Sequence, residues 1–144
     1  MINVGIIGFG KMGQIRAQTV ESSSLGIVQM IFDVNAILNA KFETVTSPEE
    51  IFENDQIDAV FICTPNDLNK QLTIQGLNAG KHIFCEKPPA FNEKEVVEII
   101  EVEKSSGKKL MYGFNHRHHD SIKMMKNLID EQIYGNILWM RGRY

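Results

Sequence analysis

Apolar positions along the chain fall into short continuous runs, separated by longer stretches in which they recur every three or four residues. The runs at 2–7, 27–32, 59–62, 82–85 and 109–112 are rich in Ile, Val and Phe and too short for helices. They predict strands buried on both faces, as in a parallel sheet covered by helices. A weaker strand is expected at 43–45. The stretches between them predict helices over 11–22, 67–79 and from Asn92 to Gly107, with a short one over 35–42. Ser47-Pro48-Glu49-Glu50 reads as a further helix start, with a capping Ser, Pro in the first turn and acids where the helix dipole favours them. Gly80 and Gly107 are natural left-handed stops. Val96, Val97, Ile99, Ile100 and Val102 are expected to form a core-facing side. Strand–helix alternation implies right-handed crossovers and a doubly wound α/β sheet.

The rhythm changes near the end. Residues 120–132 predict a helix with Ile122, Met125, Leu128 and Ile129 on one side, and Tyr134-Gly135-Asn136 a turn. Residues 137–144 alternate as a strand of a different sheet would. The expected organisation is a doubly wound α/β domain over 1–119 and, over 120–144, the first helix and strand of an incomplete α+β domain. The alternative for that strand is pairing with a second copy of the chain.

Composition narrows the class. The sequence has 144 residues, 43% hydrophobic and 23% charged, which suits one core without disulfide or metal staples. A net charge of −3 argues against a nucleic-acid partner, which calls for clustered positive charge. No apolar run reaches the length of a membrane span, and the start has no signal-peptide pattern. A cytoplasmic protein is expected, with Cys63 and Cys85 as reduced thiols at strand ends. His116, His118, His119 and Asp120 are the only metal-like cluster, and their spacing does not converge on one point; no metal is expected.

The chemistry begins at Gly8-Phe9-Gly10-Lys11-Met12-Gly13, which follows the first strand directly and opens the first helix. In that setting the glycines serve a tight turn, close approach of a pyrophosphate and close helix packing, with free amides holding the phosphates. Asp33 ends the second strand twenty residues past Gly13, where a carboxylate accepts hydrogen bonds from the adenosine ribose. It would repel a 2′-phosphate, and neither Val34 nor Asn35 supplies a compensating cation. NAD is therefore expected over NADP.

Further on, Cys63-Thr64-Pro65-Asn66, then Ala79-Gly80-Lys81-His82-Ile83-Phe84-Cys85-Glu86-Lys87-Pro88, then Gly113-Phe114-Asn115-His116-Arg117 resemble successive signatures of the Gfo/Idh/MocA family, which includes glucose–fructose oxidoreductase and inositol dehydrogenase. The resemblance implies a Rossmann fold and an NAD-dependent enzyme. Hydride would pass between nicotinamide C4 and a hydroxyl or ketone carbon of a sugar, nucleotide sugar or cyclitol. It places Thr64, Pro65 and Asn66 along the cofactor, Glu86 toward the nicotinamide, and Asn115 and Arg117 near the cofactor or substrate pocket. Lys87 becomes the catalytic candidate, its ammonium stabilising developing negative charge on the reacting oxygen. Many relatives carry a histidine where this chain has Asn69, so a titratable group gives way to an amide.

In such relatives the acid–base histidine, most substrate contacts and the oligomer interface belong to a second domain. The chain alone is expected to bind NAD and to be a poor catalyst. The competing reading is a free-standing NAD-binding regulatory module, and a cofactor recycled between two substrates stays open.

Overall fold

The computed structural model describes residues 1–35 and 41–142. It divides into two compact units, Met1–Gly113 and a second beginning at Phe114.

The first unit is a sheet of six parallel strands: β1 (Ile2–Ile7), β2 (Gly26–Phe32), β3 (Glu43–Thr44), β4 (Ala59–Ile62), β5 (His82–Cys85) and β6 (Leu110–Tyr112). Their spatial order is β3-β2-β1-β4-β5-β6, so the winding direction reverses between β1 and β4. The helices are α1 (Lys11–Ser22), α2 (Pro48–Glu53), α3 (Asn66–Asn78) and α4 (Glu93–Ser106). The expected helix over 35–42 falls mostly outside the described residues.

The two faces of the sheet carry separate cores. Val4, Ile6, Val28 and Ile31 pack with Ala17 and Val20 of α1, whereas Ile7, Met30, Val60, Ile62 and Ile83 pack with Ile51, Phe52, Leu72 and Leu77. A bulge on β2 opposite the Val4–Gly5 step shifts the register. It lets Val28 and Ile31, three positions apart, share a face that strict alternation would deny them. Strands apolar on both sides are what two covered faces require.

Helix ends follow the local chemistry. Ser47 and Glu50 close a capping box at α2; Asn92 caps α4 by accepting from the Glu95 amide at 3.1 Å, and Gly107 ends it at φ +65°. The α4 face differs from expectation. Ile99 is buried and Val96 and Val102 are half-buried, but Val97 and Ile100 are 47% and 40% exposed. Five apolar residues in seven positions span a wider arc than one helix face can bury, so Val96, Ile99 and Val102 turn inward and the rest stay outside.

In the second unit a 3₁₀ turn (Asn115–His118) precedes α5 (Asp120–Asp130). The strand expected over 137–144 does not form within the described residues: 137–142 have no regular structure, and Leu138 and Trp139 are exposed. Alternation supplies two faces for side chains but no ladder partner, and a strand needs its backbone groups paired. Among the described residues no helix is long and apolar enough to cross a membrane.

Candidate functional site

The carboxyl ends of the central strands are level with one another because the ladder continues one step past each. Gly8 N–H donates to Phe32 C=O at 2.8 Å, Cys63 N–H to Ile7 C=O at 2.7 Å, Glu86 N–H to Ile62 C=O at 2.9 Å, and Gly113 N–H to Cys85 C=O at 2.9 Å. These residues rim the edge where the winding reverses, the place where open α/β sheets hold ligands.

Gly8 turns the chain at φ +88°. A Cβ there would come within 2.6 Å of the Cys63 carbonyl oxygen, so only glycine fits the turn. At Gly13 an added Cβ would run into the Gly8 carbonyl, which lets α1 start directly beneath the turn. At Gly10 an added Cβ would meet nothing within 4 Å. That gap is the approach a pyrophosphate needs.

The turn's amides divide into two sets. Those of Gly8 and Phe9 are already taken, by Phe32 C=O and by Asp33 Oδ2 at 2.7 Å. The first intrahelical bond of α1 is Gln14 N–H to Gly10 C=O at 3.0 Å. The amides of Gly10, Lys11, Met12 and Gly13 precede it and have no acceptor within the helix. They sit at the positive end of its dipole, the arrangement that can hold an anion. Phe9 contributes backbone alone, since its buried ring meets Phe42 edge-on at 5.9 Å.

Asp33 lies at the end of β2. Its Oδ1 accepts from the backbone and side-chain nitrogens of Asn35 at 2.9 and 3.1 Å while Oδ2 holds Phe9. A cleft of about 530 Å³ opens beside it, lined by Gly8, Gly10, Val34, Pro48, Thr64, Pro65, Leu68 and others. Among the described residues, the only charged ones in that lining are Asp33 and Glu49. The apolar wall suits a planar base, the carboxylate a ribose diol, and the helix start a diphosphate. These residues fit an adenine dinucleotide.

Cys63, also in the lining, is a free thiol pushed up to about 12 by burial and by the nearby Glu86 charge. It is a protonated, inert wall of the cleft. Asn66 opens α3, and Thr64 and Pro65 lead into it from β4.

Comparison with known proteins converges on the same reading. Residues 2–114 match the family model described as an oxidoreductase family with an NAD-binding Rossmann fold, Gfo/Idh/MocA. The chain belongs to that family. It is 29% identical over 141 residues to myo-inositol 2-dehydrogenase of Thermotoga maritima, covering 93% of this chain and 42% of that protein. It is 32% identical over 158 residues to levoglucosan dehydrogenase of Pseudarthrobacter phenanthrenivorans, covering 99% and 40%. A solved scyllo-inositol dehydrogenase from Lactobacillus casei, with bound NAD(H) and scyllo-inositol, superposes with a TM-score of 0.85 at 28% identity, over 94% of this chain and 42% of that one. The chain thus spans about two fifths of the length of these relatives.

The family's Glu-Lys-Pro segment sits at the end of β5, with Lys87–Pro88 in the cis form. Glu86 was expected to face the nicotinamide. Its side chain is buried and paired with Arg16 of α1, whose Nε donates to Oε1 at 2.8 Å and whose Nη2 donates to the same oxygen. The guanidinium also lies 4.8 Å above the Phe84 ring centroid, and a Cβ at Gly113 would press within 2.8 Å of Oε2. The carboxylate therefore joins α1 to β5. Lys87 is exposed beside it.

Two residues that the sequence did not single out as contacts shape this region. Arg16 gave no signal, because its partner is seventy positions away. Asn69 stood out only as a departure from the family histidine, and it proves fully buried, bonded to the backbone around Lys87. Asn115 and Arg117 belong to the second unit, where the Arg117 guanidinium lies 5.5 Å from the Phe114 ring centroid. Among the described residues no group of three or more His, Cys, Asp or Glu could hold a metal.

Proposed function

We propose that this chain is the cofactor-binding part of an NAD-dependent dehydrogenase acting on a secondary hydroxyl, or the corresponding ketone, of a sugar, nucleotide sugar or cyclitol. The observation that carries the reading is the convergence, along one sheet edge, of an unspent helix start, a ribose-type carboxylate and an exposed lysine. The polyhydroxylated substrates named for the relatives support the substrate class.

The residues divide the work. The amides of Gly10, Lys11, Met12 and Gly13 take the pyrophosphate, and Asp33 accepts from the adenosine ribose hydroxyls. Thr64, Pro65 and Asn66 wall the passage toward β5. Glu86 acts through its pairing with Arg16, orienting the segment that carries Lys87. The bound nicotinamide supplies hydride acceptance and donation. Lys87 donates a hydrogen bond to the substrate's reacting oxygen, stabilising charge as it develops there. NAD is preferred to NADP because, among the described residues, the cleft beside Asp33 is lined by acids and no base, so a 2′-phosphate gains no partner there and meets repulsion.

Titration of the chain with NADH, followed by nicotinamide fluorescence, tests the reading. Saturable binding abolished by excess NAD is expected, and no binding at millimolar cofactor would overturn it.

A further inference from the structure

Asn69 has 0% exposure and is not part of the cleft lining. It sits in the first turns of α3, yet its side chain is spent across the sheet edge. Its Nδ2 donates to the Glu86 carbonyl at 3.1 Å and to the Pro88 carbonyl at 2.9 Å. Its Oδ1 accepts from the Thr64 hydroxyl at 3.3 Å. Every polar atom of the amide is used, and the two carbonyls fix which way it faces, since only the NH₂ end can serve them. The two carbonyls flank a single residue. That residue is Lys87.

We propose that Asn69 is the positioning residue for Lys87, a buried two-carbonyl clamp that fixes the backbone on either side of it. The inference rests on the role assigned to Lys87 above. A long, flexible lysine reaches a defined point only if its Cα is fixed, because each side-chain torsion multiplies any backbone error. The neighbouring anchors hold Glu86 alone: its amide is bonded to Ile62 and its carboxylate to Arg16. Asn69 is the group that reaches past Lys87 to Pro88. An amide is suited to this, offering two hydrogens from one nitrogen, where each imidazole nitrogen offers one at most. The position at which many relatives carry a histidine is thus occupied here by a backbone clamp.

The test reads Lys87 directly. Lysines of the whole chain are reductively methylated with ¹³C-formaldehyde, which keeps their charge, and the Lys87 signal is assigned by its loss in Lys87→Arg. In the wild type, saturating NADH is expected to displace that signal. In Asn69→Ser, NADH affinity should stay close to wild type, because the α1 turn and Asp33 are untouched. The displacement of the Lys87 signal should fall at least about twofold as the Lys87 backbone loosens. A full wild-type displacement in Asn69→Ser would overturn the clamp. Should Asn69→Ser not fold, Asn69→Thr, which fills more of the site but offers one hydroxyl hydrogen to two carbonyls, must show the same loss; an unchanged Lys87 signal there would overturn it equally. A wild-type Lys87 signal indifferent to bound NADH would refute the role of Lys87, and the clamp with it, while absence of NADH binding would refute the cofactor reading itself.

Discussion

The Phe9 amide donates to the Asp33 carboxylate at 2.7 Å, so the carboxylate proposed to select the cofactor also holds the turn proposed to bind its phosphates. One oxygen of Asp33 faces inward to Phe9 while the other accepts from Asn35. Substitution at Asp33 has two separable consequences. Asp33→Ala leaves the Phe9 N–H without its acceptor and should lower stability by about 1–3 kcal/mol. Asp33→Asn retains an oxygen for Phe9 and should recover most of that loss. Thermal unfolding of the two variants checks this, and equal losses would show that the Phe9 contact adds nothing.

The fingerprint glycines should part company when given a methyl group. Gly13→Ala drives a Cβ into the Gly8 carbonyl and should destabilise the fold by about 1–3 kcal/mol or more. Gly10 has φ −70° and open space around its would-be Cβ. Gly10→Ala should therefore change stability by less than about 0.5 kcal/mol while weakening NAD binding by about tenfold or more. Denaturant unfolding paired with cofactor titration separates the two, and a Gly10→Ala variant that binds normally would remove the pyrophosphate from this gap.

Alkaline pH should loosen the fold. Burial pushes Cys63 and Cys85 up to about 12, against an ordinary thiol value of about 8.5. The folded chain then holds protons that the unfolded chain releases, so this stability is complete below about pH 8.5 and is lost as pH rises toward 12. Tyr112, pushed up to about 12 chiefly by burial, adds to the loss from about pH 10. Melting temperature across this range should fall, and less steeply in a Cys63→Ser/Cys85→Ala variant. Parallel curves would show that the thiols do not contribute.

In a protein that carries this chain and shows the proposed dehydrogenase activity, Lys87→Ala should lower kcat by about 10²–10³ and leave NAD affinity unchanged, because the proposed pyrophosphate and ribose contacts lie on other strands. Steady-state kinetics with direct cofactor titration decides it. Unaltered turnover would make Lys87 a solvated surface residue.

The sheet was legible in the sequence because parallel strands covered on both faces are short unbroken apolar runs, and the runs ending at Ile7, Phe32, Ile62 and Cys85 stop where the strands stop. The positions of Gly8, Gly10 and Gly13 at the turn and of Asp33 at the end of β2 were legible because their spacing follows from one strand–helix–strand unit. Contacts between distant segments left no such trace. Arg16 and Glu86 meet only once β1, β4 and β5 are side by side, and nothing in the residues near Arg16 announces a partner. Asn69 looked like a missing titratable group because spacing cannot show that a side chain turns inward to backbone. Val97 and Ile100 were assigned to a core because an apolar pattern reports composition of an arc, whereas burial depends on how much of that arc a neighbour covers.

The cleft beside Asp33 is proposed as the NAD site. Isothermal calorimetry of the chain and of Asp33→Ser with NAD and with NADP tests it most directly. The wild type should bind NAD at least about tenfold more tightly than NADP, and Asp33→Ser should narrow that ratio by relieving the repulsion on the 2′-phosphate. Equal affinities for the two cofactors in the wild type, or a ratio that Asp33→Ser leaves unchanged, would contradict it.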